Sequence, residues 1–138
     1  MDLAAISLDD VVETFELLDD WEERYRYVID LGRKLPPLPE EAYTEANKVR
    51  GCSSQVWLIM TRLDDGRMEI RADSDAHIVK GLIAILLLIF DDKTPEQILA
   101  TDAKTILNRL GLAAHLSPMR TNGLFSMVQR IGDLAAGQ

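Results

Sequence analysis

Val56-Trp57-Leu58-Ile59-Met60-Thr61-Arg62-Leu63-Asp64-Asp65-Gly66-Arg67-Met68-Glu69-Ile70-Arg71-Ala72-Asp73 is the stretch that decides the fold. Its first half is apolar and β-rich, the composition of a strand packed on a core. Its second half alternates apolar and charged residues from Met68 to Asp73, the period of a half-buried antiparallel strand with one wet face. Between them Asp64-Asp65-Gly66-Arg67 supplies the turn, and Asp65-Gly66 suits the positive-φ central pair of a type I′ hairpin. One β-hairpin is therefore predicted.

Downstream, Ser74 and Asp75 are placed to cap a helix from Ala76 to Phe90, nearly all apolar after Lys80. A bilayer span takes about 20 apolar residues, so this run, closed by Asp91-Asp92-Lys93, is too short to cross one. A helix apolar on all sides is a central one, covered by the sheet and by other helices. Gly81 within it reads as a point of close packing. Thr94-Pro95 and Ser117-Pro118 each combine a cap with a proline at the first helical position. They predict helices starting there, with a further short helix from Asp102 to Leu110. Leu124, Met127, Val128 and Ile131 turn the last helix inward.

Upstream, Ser7 with Asp9 and Asp10 opens an amphipathic helix through Leu18, and Asp19 or Asp20 caps a second. In that second helix Trp21, Tyr25, Val28 and Ile29 recur at helical spacing. Trp21, Tyr25 and Tyr27 read as core aromatics rather than a ligand pocket. Gly32 and Pro36-Pro37-Leu38-Pro39 end it. An extended connection follows, with one helical turn at Glu40-Glu41-Ala42. The expected class is α+β, a small antiparallel β-sheet packed against several α-helices in one domain over residues 1–138.

The 138 residues suffice for one core, and 47% hydrophobic with 28% charged content is globular rather than disordered. A net charge of −8 argues against nucleic acid, whose phosphates require a basic face, and suits a partner with a basic surface. Met1-Asp2-Leu3-Ala4-Ala5-Ile6 has neither a basic n-region nor a long apolar stretch, so no export signal is expected. A single cysteine forbids an internal disulfide and allows a reducing compartment. The expected setting is cytoplasmic, with no membrane partner and a monomer or weak homodimer.

That cysteine, Cys52, sits just ahead of the first strand in Lys48-Val49-Arg50-Gly51-Cys52-Ser53-Ser54-Gln55. Gly51 tolerates positive φ and can set the next side chain at the tip of a bend. Arg50 and Lys48 would favour the thiolate, the nucleophilic form. Equally, a lone cysteine is commonly a small buried hydrophobe. Zinc would need three or four ligands, and one Cys with two distant His does not supply them. There is no Cys-x-x-Cys dithiol and no Gly-rich phosphate loop. His77 and His115 flank helix starts, where each reads as a surface or capping residue rather than a base for Cys52. What remains is one activated thiol that accepts or donates a group made reactive elsewhere.

Three blocks now matter together. Asn47-x-Val49-x-Gly51-Cys52-x-Ser54-Gln55-Val56-Trp57 resembles the signature of the SufE family of sulfur acceptors. So do Asp73-Ser74-Asp75-Ala76-x-Ile78-Val79-x-Gly81-Leu82 and His115-Leu116-Ser117-Pro118-x-Arg120-x-Asn122-Gly123-Leu124. Trp21-Glu22-Glu23-Arg24-Tyr25 and Leu35-Pro36 are similar as well, so the resemblance runs from about Leu8 to Gly132. It implies a fold like that of the U-type cluster scaffolds. Those hold a cluster with several cysteines, which disfavours a scaffold role for a chain with one.

The resemblance also implies a persulfide relay. A PLP-dependent, SufS-type cysteine desulfurase would load sulfur onto Cys52, which would pass it to a SufBCD-type scaffold. No cofactor is implied on this chain. Arg120 matches a family arginine linked to the acceptor loop and docking surface, although a structural ion pair reads equally well. Asp75 matches a position near that loop, against its plainer reading as an acid at a helix start. Gly51, Ser54 and Arg50 complete the expected support. Many relatives carry an uncharged residue at the Arg50 position and glycine at that of Ala72. Three alternatives stand: a sister-branch acceptor feeding other sulfur-transfer pathways, a redox-sensing thiol, and an interaction module with an inert cysteine.

Overall fold

The computed structural model describes residues 3–137. Met1 and Asp2, which open the stretch read for an export signal, and Gln138 lie outside the described residues. The helices are α1 (Leu8–Leu17), α2 (Trp21–Gly32), α3 (His77–Phe90), α4 (Pro95–Ala100), α5 (Ala103–Arg109), α6 (Leu112–His115) and α7 (Pro118–Ala136). The strands are β1 (Val56–Arg62) and β2 (Met68–Ser74), paired antiparallel with Val56 opposite Ser74 and Arg62 opposite Met68. The α+β expectation holds.

The hairpin forms where its alternation placed it, and Met68, Ile70, Ala72 and Ser74 of β2 are all buried. Its turn differs from the expected type I′. The Gly66 N–H donates to Leu63 O at 3.0 Å, and Leu63 N–H donates to Arg67 O at 2.8 Å. Gly66 takes φ +88°, whereas Asp65 is not among the positive-φ residues. This is a three-residue loop, a turn closed by a left-handed glycine. Arg67 also pairs with Asp65 at 2.6 Å and Asp92 at 2.7 Å.

α3 is the centre of the core, with ten of its residues buried from Val79 to Phe90. Gly81 meets α2 backbone to backbone: a Cβ there would lie 2.1 Å from the Val28 carbonyl oxygen. At Gly32 the same construction would fall 2.6 Å from the Gly81 nitrogen. The two glycines let the helices approach more closely than any side chain would permit, as the reading of Gly81 anticipated.

The chain leaving α3 is stitched to the outer edge of β2. Met68 N–H donates to Lys93 O at 2.7 Å, Asp92 N–H to Met68 O at 2.9 Å, and Ile70 N–H to the Asp91 carboxylate at 2.7 Å. Burial pushes the Asp91 carboxyl above the usual carboxylate range, with the Ile70 hydrogen bond opposing it.

Ser7 and Asp10 form a capping box on α1, and Asp20 caps α2. Glu40–Ala42 makes the anticipated turn as a short 3₁₀ helix; a second at Glu45–Asn47 was not anticipated. Thr94 with Gln97 caps α4, and Ser117 caps α7. α6 is an added short helix entered through Gly111 at φ +73°. α3 has no side-chain cap: Ser74 Oγ accepts from Ala76 N–H at 3.2 Å, and Asp75 is engaged elsewhere.

Candidate functional site

Residues 49–56 form a closed loop rather than a straight approach to β1. Lys48 bridges to Trp57, and Val49 N–H donates to Val56 O at 2.9 Å. At the tip Gly51 takes φ +87°, a conformation that side chains resist. It lies against α7 so closely that a Cβ would fall 2.5 Å from Ser126 Oγ. Gly51 therefore takes the positive φ that the sequence suggested and seats the loop on α7, but it does not present the thiol outward.

Cys52 turns inward from that tip. It is half-buried, and its thiol donates to Gly123 O at 3.6 Å. The crevice around it, about 10 Å³, is lined by Ser54, Val79, Leu82, Leu124 and Met127, with exposed Met119 and Arg120 at its rim. By volume that is room for about one water molecule. Burial in this apolar setting pushes the thiol pKa up.

This corrects the expectation that Arg50 and Lys48 favour the thiolate. Both turn to Glu45 instead, Lys48 at 2.9 Å and Arg50 at 3.5 Å. The hydrogen bond from Lys48, with Arg50 adding attraction, holds the Glu45 carboxyl below its usual range. An exposed carboxylate outcompetes a half-buried thiol for these cations, because the thiol would ionise only at a desolvation cost.

The far end of the loop is fastened by Asp75. Its carboxylate accepts from Gln55 N–H at 3.0 Å and Gln55 Nε2 at 3.3 Å, and Asp75 N–H donates back to Gln55 O at 3.3 Å. Asp75 is thus beside the acceptor loop and does not cap α3. Arg120, in the first turn of α7, is exposed and makes no side-chain hydrogen bond or ion pair among the described residues. The structural ion pair considered for it is not formed.

The histidines take other work. His77 is exposed at the start of α3. His115 stacks on Trp21 with ring centroids 4.0 Å apart, its Nδ1 lies 3.0 Å from Gly111 O, and its carbonyl accepts from Tyr25 Oη. Arg24 lies over the Trp21 ring at 5.0 Å. Trp21 and Tyr25 are thus part of a half-exposed aromatic clasp between α2 and the entry to α7, not full core residues. Among the described residues, no group of three or more His, Cys, Asp or Glu side chains is arranged to hold a metal.

Sequence reasoning missed Gly123 as the acceptor of the thiol and Ser126 as the seat of Gly51. A glycine in the first two turns of a helix costs helical stability and so signals close approach. That signal was present at Gly123. Ser126 gave none.

The family model described as SufE, the Fe-S metabolism associated domain, matches residues 9–135. An uncharacterized SufE-like protein of Rhizobium meliloti (strain 1021) is 48% identical over 135 residues, covering 96% of each chain. Another, of Rhizobium etli, is 51% identical over 132 residues, covering 94% of this chain and 89% of the relative. The solution structure of a hypothetical protein from Thermus thermophilus has TM-score 0.75 at 21% identity, over 94% of this chain and 93% of that one. That last likeness is one of fold. The chain belongs to the SufE family, and membership implies a sulfur-acceptor role in iron–sulfur metabolism.

Proposed function

We propose that Cys52 takes sulfane sulfur from the persulfide of a SufS-type cysteine desulfurase and relays it to a SufBCD-type cluster scaffold in the cytoplasm. The observation that carries this reading is the seat of the only cysteine. It lies beside the tip of a short closed loop, held inward by one long S–H···O contact of 3.6 Å, next to an arginine with no side-chain partner among the described residues. A structural cysteine would be locked into the core by packing on all sides. This one is half-covered and tethered by bonds that a docking protein can replace.

PLP on the desulfurase supplies the chemistry that frees sulfur from cysteine, and this chain supplies the acceptor. The Cys52 loop lifts on docking, and the thiol leaves its apolar crevice and ionises, its proton passing to solvent. The Cys52 thiolate then attacks the terminal sulfur of the donor persulfide. A Cys52 Sγ–S bond forms, the donor S–S bond breaks, and the donor cysteine leaves as a thiolate, with no net oxidation. Arg120 stands at the rim, where a guanidinium stabilises sulfur anions. The resting thiol, raised in pKa by burial, is protected from adventitious oxidation. That weighs against the redox-sensing alternative, which needs an accessible thiolate.

The test is intact mass after incubation with the cognate desulfurase and free cysteine, without reductant. Wild-type protein is expected to gain one or more sulfur atoms mapped to Cys52, and Cys52→Ser none. A wild-type chain that gains nothing sinks the relay, as does a Cys52→Ser chain that still gains sulfur.

A further inference from the structure

Beside the Cys52 loop, between it and one face of α7, lies an open shelf of about 550 Å³. Val49 and Arg50 line it from the loop, and Asn122, Phe125, Ser126 and Arg130 from the helix. It adjoins the acceptor loop, whose Gly51 rests on Ser126. Its two cations are poorly satisfied. The Arg50 side chain is 78% exposed, and its ion pair is a 3.5 Å contact with the equally open Glu45, which already serves Lys48 at 2.9 Å. Arg130 donates from Nη2 to Ala46 O at 3.1 Å, while its Nε–H is buried without a partner among the described residues. A guanidinium carries five donors, so beyond the Ala46 bond the Arg130 Nη groups keep donors for a charge-assisted bond to a carboxylate. The acid at the far end, Asp133, is occupied by Gln129 Nε2 at 2.9 Å.

We propose that this shelf is where the sulfur-donating partner docks an acidic segment, its carboxylates pairing with Arg50 and Arg130 while Phe125 contributes an apolar floor. The chain carries a net charge of −8, and against that background Arg50 and Arg130 put two cations on one shelf beside the acceptor loop. Such a local reversal of sign steers and orients a complementary face, and matters more for orientation than for raw affinity. The inference rests on the relay in one respect: the partner is the donor of sulfur. Arg50 thereby acquires a role in docking, in place of the one in thiol ionisation that the geometry denies it.

The experiment compares wild type with Arg50→Glu and Arg130→Gln for affinity to the cognate desulfurase, at several salt concentrations. In parallel, the same proteins are loaded with inorganic polysulfide, which needs no docking. Arg50→Glu is expected to weaken binding roughly tenfold, to raise the KM for this protein without lowering kcat, and to flatten the salt dependence. Arg130→Gln is expected to weaken binding less, and polysulfide loading of Cys52 is expected to stay at the wild-type rate in both. Wild-type affinity and salt dependence in both variants overturn the shelf. So does a loss of polysulfide loading that accounts for the whole defect, since that places the arginines at the thiol rather than at the partner. Binding of wild type without sulfur transfer, weakened by Arg50→Glu, would refute the relay and keep the shelf. No binding by wild type refutes the shelf.

Discussion

Gly81 and Gly51 are each pressed against a neighbour, and the difference between the neighbours separates the core from the site. At Gly81 the obstacle to a side chain is the Val28 backbone of α2, at 2.1 Å; at Gly51 it is the Ser126 hydroxyl of α7, at 2.5 Å. A backbone inside a packed helix pair cannot yield, whereas a serine side chain rotates away. Around Gly81 the contacts are the backbone and side chain of fully buried Val28. Around Gly51 they are a thiol–carbonyl contact, a carboxylate clasp at Gln55 and one backbone bond closing the loop base. Segments held by few bonds open locally at far less cost than the whole fold. The loop that the proposed sulfur transfer would lift is held by the second kind of contact.

The comparison breaks first at Gly81. Gly81→Ala is expected to cost about 2–3 kcal/mol, since overpacking against an unyielding backbone exceeds the roughly 1 kcal/mol that alanine gains in helix propensity. Urea unfolding measures it, and a change below about 1 kcal/mol would mean that the α2–α3 contact is as yielding as the loop. A smaller, local effect is expected at the clasp. Asp75→Ala removes both acceptors of Gln55 and should destabilise the closed loop by about 1–2 kcal/mol. Iodoacetamide should then label native Cys52 about 5–30-fold faster, and global stability in urea should fall by no more than the same ~1–2 kcal/mol. Unchanged labelling would show that the loop is held elsewhere.

The smallest effect is in pH. Burial raises the Cys52 pKa in the folded chain, so the folded state retains a proton that the unfolded chain has already lost. The stability this contributes is complete below the ordinary thiol value of about 8.5. It falls as pH rises through that value toward the raised one. Wild type should lose stability in the alkaline range relative to Cys52→Ala when both are unfolded in urea at a series of pH values. Parallel curves would mean that the thiol is not desolvated.

Much of the fold is legible because it follows from local pattern. Strict alternation from Met68 to Asp73 allows one face only for β2, and an apolar run of helical length bounded by charges must be central. The turn type was less legible. Asp65-Gly66 is compatible with two loop geometries, and the choice depends on whether Leu63 pairs with Arg67, a register matter between strands. α6 and the clasp of His115 on Trp21 escaped for a similar reason. The partners lie 94 positions apart in sequence, and neither residue alone announces a stacking partner.

The candidate site divides along the same line. Cys52, Gly51, Asp75 and Arg120 stand out in the sequence from their neighbours and their blocks, whereas the state of the thiol does not. Sequence proximity of Arg50 and Lys48 suggested an activated thiolate. The fold gives those cations to Glu45, turns the thiol toward Gly123 and sends Asp75 to Gln55 rather than to the start of α3.

The sequence by itself determined the hairpin, the central helix, the place of the one cysteine and the family. These depend on periodicity, on chain stiffness at glycine and proline, and on there being one cysteine. Only the tertiary structure decided that the thiol rests inward and protonated, that Arg120 stays unpaired at the rim, and that Arg50 faces a shelf on α7. Those outcomes are competitions among groups distant in the chain for a few hydrogen bonds and for water. Such competitions are settled by three-dimensional distance and desolvation, neither of which is written in local order.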